Sequence, residues 1–228
     1  MTEDEIELKL TDDGSHTLYS PRFRQYYHSY FGAWQESLFI YIQEAWEKLD
    51  KEIPEINIFE LGMGTGLDVM LTLQKSIHEK RKVYYFTTEP YPPPDDIILK
   101  LNHPEVLKDP VFYSAYNLIH ACAWEEKIAL SDKFVLHKTK ILMENIILEN
   151  DFYHLVYFDA FGPNMQPDLW TTEIFQKLFA AMKPNGILTT YCAKGQVRRN
   201  MQAAGFTVER LPGPLGKREI LRARKLIP

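Results

Sequence analysis

The chain has 228 residues, 45% hydrophobic, 25% charged and 13% aromatic, which excludes a disordered chain, a collagen or a coiled coil. Its two cysteines, Cys122 and Cys192, are too few for a disulfide framework or a four-cysteine zinc site, and a reducing cytosol suits them. The net charge of −5 is uneven: residues 194–225 hold nine Lys/Arg against two Glu, which points to an anionic partner at that end, although a solvated surface gives the same count.

The start, Met1-Thr2-Glu3-Asp4-Glu5, is acidic where a signal peptide is basic, and no apolar run nears the roughly 18 residues of a membrane span. A soluble, cytoplasmic chain is expected. Residues 1–50 read as an N-terminal extension. Gly14-Ser15-His16-Thr17 forms a turn between two extended pieces, and Leu38, Phe39, Ile42, Ala45, Trp46 and Leu49 recur at helical spacing. From residue 51 to 228 one domain is expected. Strand 56–61 runs into a glycine turn and a helix over 67–77, and strand 83–88 ends at Glu89. Helical pieces at 97–101 and 113–124 precede strand 133–137, and strand 155–158 ends at Asp159. Helix 173–182, strand 187–191, helix 197–204 and a strand pair, 206–211 and 218–223, complete the chain. Strands alternating with helices predict an α/β fold of Rossmann-like type, a mostly parallel sheet with an antiparallel edge. In such sheets ligands bind beyond the carboxyl ends of the strands.

Three segments lie at those ends. Glu60-Leu61-Gly62-Met63-Gly64-Thr65-Gly66 places glycines at alternate positions between a strand and a helix, where the backbone must turn tightly and approach a ligand. The dinucleotide fingerprint spaces its third glycine one residue later, and Glu60 is a poor neighbour for a pyrophosphate. An acid there suits a cationic ligand such as the amino-acid part of S-adenosylmethionine. Glu89 can accept both hydroxyls of a ribose, in NAD enzymes and methyltransferases alike. Asp159 can orient an amine nucleophile and take up its charge, while Phe161 and Trp170 can stack on a base. No metal is expected, because His16, His28, His78, His103, His120, His137 and His154 show no ligand spacing. A nucleophile elbow and a Walker loop are both missing.

These residues make the chain resemble a family of tRNA-modifying methyltransferases, the methyltransferase half of MnmC and its stand-alone MnmD relatives. The resemblance rests on 13–20 with 27–37, on the glycine loop, on Asp159-Ala160-Phe161-Gly162-Pro163 through Pro167-Asp168-Leu169-Trp170, and on Gln196-Val197-Arg198-Arg199 through Gly216-Lys217-Arg218-Glu219. It implies a class I fold, S-adenosylmethionine as donor, and methylation of the amine of 5-aminomethyl-2-thiouridine at the tRNA wobble position. It places catalysis on Asp159 and cofactor binding on Glu60, Gly62, Gly64, Gly66 and Glu89. Relatives often carry an acid after the third strand that contacts adenine; here His137-Lys138-Thr139-Lys140 leaves that task to backbone amides, Thr139 or Glu144. Arg198, Arg199, Lys217, Arg218 and Arg222 would meet phosphates of the anticodon stem-loop, and Tyr19, Tyr27, His28 and Glu36 would shape the pocket or pack. No flavin oxidase half is expected, and the unit is read as a monomer or weak dimer. The alternatives are an aminopropyltransferase, which the basic end disfavours, an NAD-dependent oxidoreductase, which the glycine spacing disfavours, and a non-catalytic tRNA-binding module.

Overall fold

The computed structural model describes residues 5–107 and 111–226; the acidic start at 1–4 lies outside it. Strands Glu7–Leu10 (β1) and His16–Ser20 (β2) pair antiparallel, and the two-residue strand Gln25–Tyr26 (β3) extends them into a small sheet. The turn between β1 and β2 is held by Asp13, whose Oδ1 accepts from the Ser15 amide at 3.0 Å and the Thr11 hydroxyl at 2.8 Å, while Gly14 takes φ +83°.

The helical spacing over 36–49 resolves into three pieces rather than one α-helix. Ala33–Ser37 (α1) passes into a π-helical stretch, Leu38–Gln43, followed by a 3-10 turn at Trp46–Lys48. Ile40, Tyr41 and Ile42 are consecutive and at most 1% exposed. An α-helical stripe cannot bury three neighbours in a row so evenly, and the wider turn brings all three inward.

The main sheet follows the predicted alternation. Its elements are Glu55–Leu61 (β4), Leu67–Glu79 (α2), Lys82–Thr88 (β5), the short helices Asp95–Ile98 (α3) and His103–Leu107 (α4), Val111–Ala121 (α5), Lys127–Ser131 (β6) and Phe134–Thr139 (β7). Then come Tyr153–Phe158 (β8), Thr172–Ala181 (α6), Met182–Thr190 (β9), Gly195–Ala203 (α7), Thr207–Pro212 (β10) and Glu219–Arg224 (β11). The order across the sheet is β10-β11-β9-β8-β4-β5-β7-β6. The five central strands are parallel, and both edges are antiparallel. The β10–β11 edge is the predicted strand pair, whereas β6 is an addition. Its sequence, Lys-Ile-Ala-Leu-Ser, is short and half-exposed, as an outermost strand must be.

Side-chain parity on the central strands divides the core. Ile56 and Ile58 of β4 face α2 and the N-terminal segment, with Tyr41, Trp46 and Leu73. Phe59 and Leu61 face the opposite layer, with Phe158, Phe175 and Met201. The period of two therefore places Glu60 on the α2 side of the sheet. β4 and β8 are neighbours, and the chain leaves them in opposite directions, toward β5 and β7 on one side and β9 on the other. Their carboxyl ends form the topological switch point where a crevice opens.

Candidate functional site

The crevice begins where β4 ends. The Gly62 amide donates to the Thr88 carbonyl at 3.0 Å and the Asp159 amide to the Leu61 carbonyl at 2.9 Å, so the ends of β4, β5 and β8 are tied together. Gly62 has φ +98°, and a Cβ there would lie 2.7 Å from the Asp159 carbonyl oxygen. Only glycine allows that approach. Gly66 is confined from another side: its Cβ would meet the His120 ring at 2.8 Å. Glu89 closes the loop by accepting from the Gly64 amide at 3.0 Å and the Tyr91 amide at 3.1 Å.

A cavity of about 290 Å³ lies over these ends, lined among others by Gly62, Gly64, Asp68, Glu89, Asp159 and Phe161. The Tyr41 hydroxyl, from the π-helical stretch, donates to Asp159 Oδ1 at 2.5 Å. Asp159 Oδ2 takes no hydrogen bond among the described residues. Burial and the nearby Asp68 charge hold the Asp159 carboxyl well above its usual range; the Tyr41 hydroxyl and the Lys217 ammonium act the other way.

The N-terminal sheet covers the opening. Phe23 stacks on Phe161 with ring centroids 4.4 Å apart, and Tyr27 meets the same ring edge-on at 4.9 Å. The Arg22 guanidinium sits 3.7 Å from the Tyr91 ring centroid, and Gln25 Oε1 accepts from the Gly162 amide at 3.1 Å. Sequence reasoning missed Arg22, Phe23 and Gln25. Nothing in a two-residue strand and its turn announces that Arg22 reaches Tyr91, or that Phe23 and Gln25 reach a loop more than a hundred positions away.

Other sequence candidates lie off the cavity wall. Glu60 is 1% exposed, and its Oε2 accepts from the Thr87 hydroxyl at 2.6 Å. Thr139 is occupied with Glu125, which also accepts from the Lys140 amide at 2.8 Å and so caps β7 with an acid from the loop before β6. Trp170, expected to stack on a base, is 3% exposed; its ring packs on Phe158 at 4.6 Å and its Nε1 donates to the Phe161 carbonyl at 2.8 Å. It braces the loop that presents Phe161. Arg198 and Arg199 stand on α7, and Lys217 and Arg218 on the turn between β10 and β11. Lys217 is the nearest of these to the crevice, 3.0 Å from Glu36 and 4.6 Å from the centroid of Tyr191, a cavity residue. Among the described residues no group of His, Cys, Asp or Glu is arranged to hold a metal ion, and no helix is long and apolar enough to cross a membrane.

Residues 120–226 match a family described as S-adenosyl-L-methionine-dependent methyltransferase. The tRNA 5-methylaminomethyl-2-thiouridine biosynthesis bifunctional protein MnmC of Cupriavidus metallidurans is 27% identical over 232 residues, covering 94% of this chain and 33% of that protein. The protein of the same name from Campylobacter hominis is 26% identical, covering 90% of this chain and 31% of its own length. The chain thus spans about a third of these relatives. In structure it is similar to MnmC2 of Aquifex aeolicus, with a TM-score of 0.75 and 24% identity over 100% of this chain and 72% of that one. It is also similar to spermidine synthase of Thermotoga maritima, with a TM-score of 0.56 and 12% identity over 98% of this chain and 70% of that one. Both likenesses concern the fold. Gly62 and Gly64 line the cavity, so a cofactor lying there would meet their backbone with no side chain between. Residues 120–226 thus resemble S-adenosyl-L-methionine-dependent methyltransferases, and nearly the whole chain is similar to about a third of MnmC and shares its fold with MnmC2.

Proposed function

We propose that this domain methylates the primary amine of 5-aminomethyl-2-thiouridine at the wobble position of tRNA, giving the methylamino form. The observation that carries the reading is Asp159. One oxygen is fixed by Tyr41, and its residue lines the cavity beside the glycine cradle. S-adenosylmethionine supplies an activated methyl group on a sulfonium and departs as a neutral thioether, so no general acid is required.

The residues of this chain then do the following. Gly62 and Gly64 admit the donor against the backbone. Glu89 would accept the ribose hydroxyls on the lone pairs that its two amide donors leave free. Leu142, Met143 and Glu144, on the cavity wall, would hold the adenine. Asp159 Oδ2 accepts an N–H from the neutral amine and aims the lone pair at the methyl carbon. The nitrogen that accepts the methyl group would become an ammonium, and Asp159 would take its proton or hold its charge. Fixing both reactants in line supplies much of the rest, about 7–11 kcal/mol where alignment is good. Phe161, stacked under Phe23, offers a face to the uracil ring. Arg198, Arg199, Lys217 and Arg218 meet phosphates of the anticodon stem-loop, a substrate that puts the reaction in the cytoplasm. Residues 1–50 act as the cover of the crevice, and the unit works as a monomer or weak dimer.

The test is to incubate the protein with S-adenosylmethionine and tRNA rich in the aminomethyl nucleoside, then weigh the digested nucleosides. A gain of one methyl on that nucleoside supports the reading, and an unchanged nucleoside pool contradicts it. The acidic cavity also suits a free polyamine, as in an aminopropyltransferase. That reading requires decarboxylated S-adenosylmethionine as the better donor, and the same assay with both donors separates the two.

A further inference from the structure

Asp68 is the second residue of α2, and it lines the cavity although it is only 4% exposed. Its Oδ1 has no hydrogen-bond partner among the described residues. Burying a carboxylate without a partner costs several kcal/mol. An acid in the first turn of a helix recovers only a small part of that from the helix dipole, too little to explain its place. Its charged neighbours make matters worse: burial first, then the charges of Glu60 and Glu36, hold its carboxyl well above the usual range.

The rest of the wall carries the same sign. Asp68, Glu89, Glu144, Asp159 and Asp168 face the cavity against one fixed cation, Arg22, which is spent on the Tyr91 ring. Among the described residues no cation lines the cavity at Asp68, and Lys217 is paired with Glu36 at 3.0 Å, so a cationic group of the ligand suits this end. Glu60, the acid the glycine motif nominates for that task, sits beneath the loop on Thr87 and off the wall.

We propose that Asp68 binds the α-ammonium group of the donor's amino-acid part, with Glu89 marking the ribose end of the same ligand. This rests on the reading of S-adenosylmethionine as donor. The assignment follows from position: Asp68 shares the wall with Gly62 and Asp159, where the methyl group must be delivered, so the amino-acid part passes it.

Calorimetric titration of the full chain tests it with two probes. S-adenosylhomocysteine carries the amino-acid part, and 5′-methylthioadenosine lacks it. Asp68→Asn is expected to weaken S-adenosylhomocysteine by about 10- to 100-fold, as loss of a charge-assisted hydrogen bond does, and to leave methylthioadenosine within about twofold. Unliganded Asp68→Asn should melt at or above the wild-type temperature, because it removes a buried acid that has no partner at Oδ1 among the described residues. Asp68→Ser should weaken S-adenosylhomocysteine in the same way if the asparagine variant does not express. Equal weakening of both probes would mean that Asp68 only shapes the loop and would overturn the proposal, as would no weakening of either. Failure of the wild-type chain to bind either probe would overturn the donor reading beneath it.

Discussion

At the crevice, Glu60 and Asp68 bury carboxylate oxygens that have no partner among the described residues, whereas at the C-terminal end Arg222 lies between Glu44 at 2.6 Å and Glu209 at 2.9 Å. Lys225 on Asp151 and Arg210 on Glu219 repeat the second pattern. The two regions are opposite in sign, and they also differ in how far their charges are satisfied from within. Charges paired inside the chain hold the last two strands onto the sheet. Charges left unpaired at an accessible wall or surface are the ones available to a ligand, which on the basic side leaves Lys194, Arg199 and Arg218, all exposed and without a salt bridge among the described residues.

The contrast can be broken most severely at Gly62. Gly62→Ala forces a Cβ toward the Asp159 carbonyl at a backbone angle that L-residues rarely adopt, a strain of about 1–3 kcal/mol or more. Donor affinity should fall by more than about tenfold, measured by titration, because the cradle and Asp159 shift together. A variant with wild-type affinity would mean that the donor does not rest on this loop.

Tyr41→Phe comes next. It keeps the packing against Tyr157 and removes the hydrogen bond to Asp159. The expected result is a kcat about tenfold lower, a shifted pH profile and an unchanged donor Kd. An unchanged pH profile would reduce Tyr41 to packing.

The basic end divides by the same logic. Arg222→Ala strands Glu44, whose side chain is 17% exposed, and should cost about 1–3 kcal/mol of stability, a loss of several degrees in Tm, with little effect on tRNA binding. Arg199→Ala with Arg218→Ala should leave Tm in place and lower the slope of log Kd against log salt by about one per cation lost. If the two pairs of effects were exchanged, the division into paired and available charges would fail.

A last expected effect is on pH dependence. Burial, with the Asp159 charge nearby, pushes the Glu60 carboxyl up to about 8 from its ordinary 4.5. Between those values the unfolded chain has released a proton that the folded chain keeps, so this group lowers stability as pH rises. Glu60→Gln removes that slope. Urea unfolding from pH 4.5 to 8 should show the wild type losing ground to the variant, and a constant difference would contradict the assignment.

The parts of the fold legible in the sequence are those where chemistry and period coincide. The apolar runs at 56–61, 83–88 and 155–158 each end on a glycine or an acid, and Gly62, Glu89 and Asp159 meet at one crevice. Less was legible where one pattern serves two structures. The π-helical stretch has the apolar spacing of an α-helix, so Tyr41 reads as core, and its partner lies 118 positions away. Asp68 reads as an ordinary acid in a helix's first turn, because sequence shows the dipole and not the burial. Glu60 reads from its motif alone as a cofactor contact, while the fold buries it against the Thr87 hydroxyl, off the cavity wall. Trp170 reads equally as a stacking platform or a brace, and only the Phe158 contact separates them.

The most direct test of the account is to measure two quantities on Asp159→Asn: the single-turnover rate of methyl transfer to tRNA bearing the aminomethyl nucleoside, and the Kd of S-adenosylmethionine. The expected result is a rate lower by about 100- to 10,000-fold with a donor Kd within about threefold of wild type. A rate close to wild type, or a loss of donor binding as large as the loss of rate, would contradict the claim that Asp159 handles the amine.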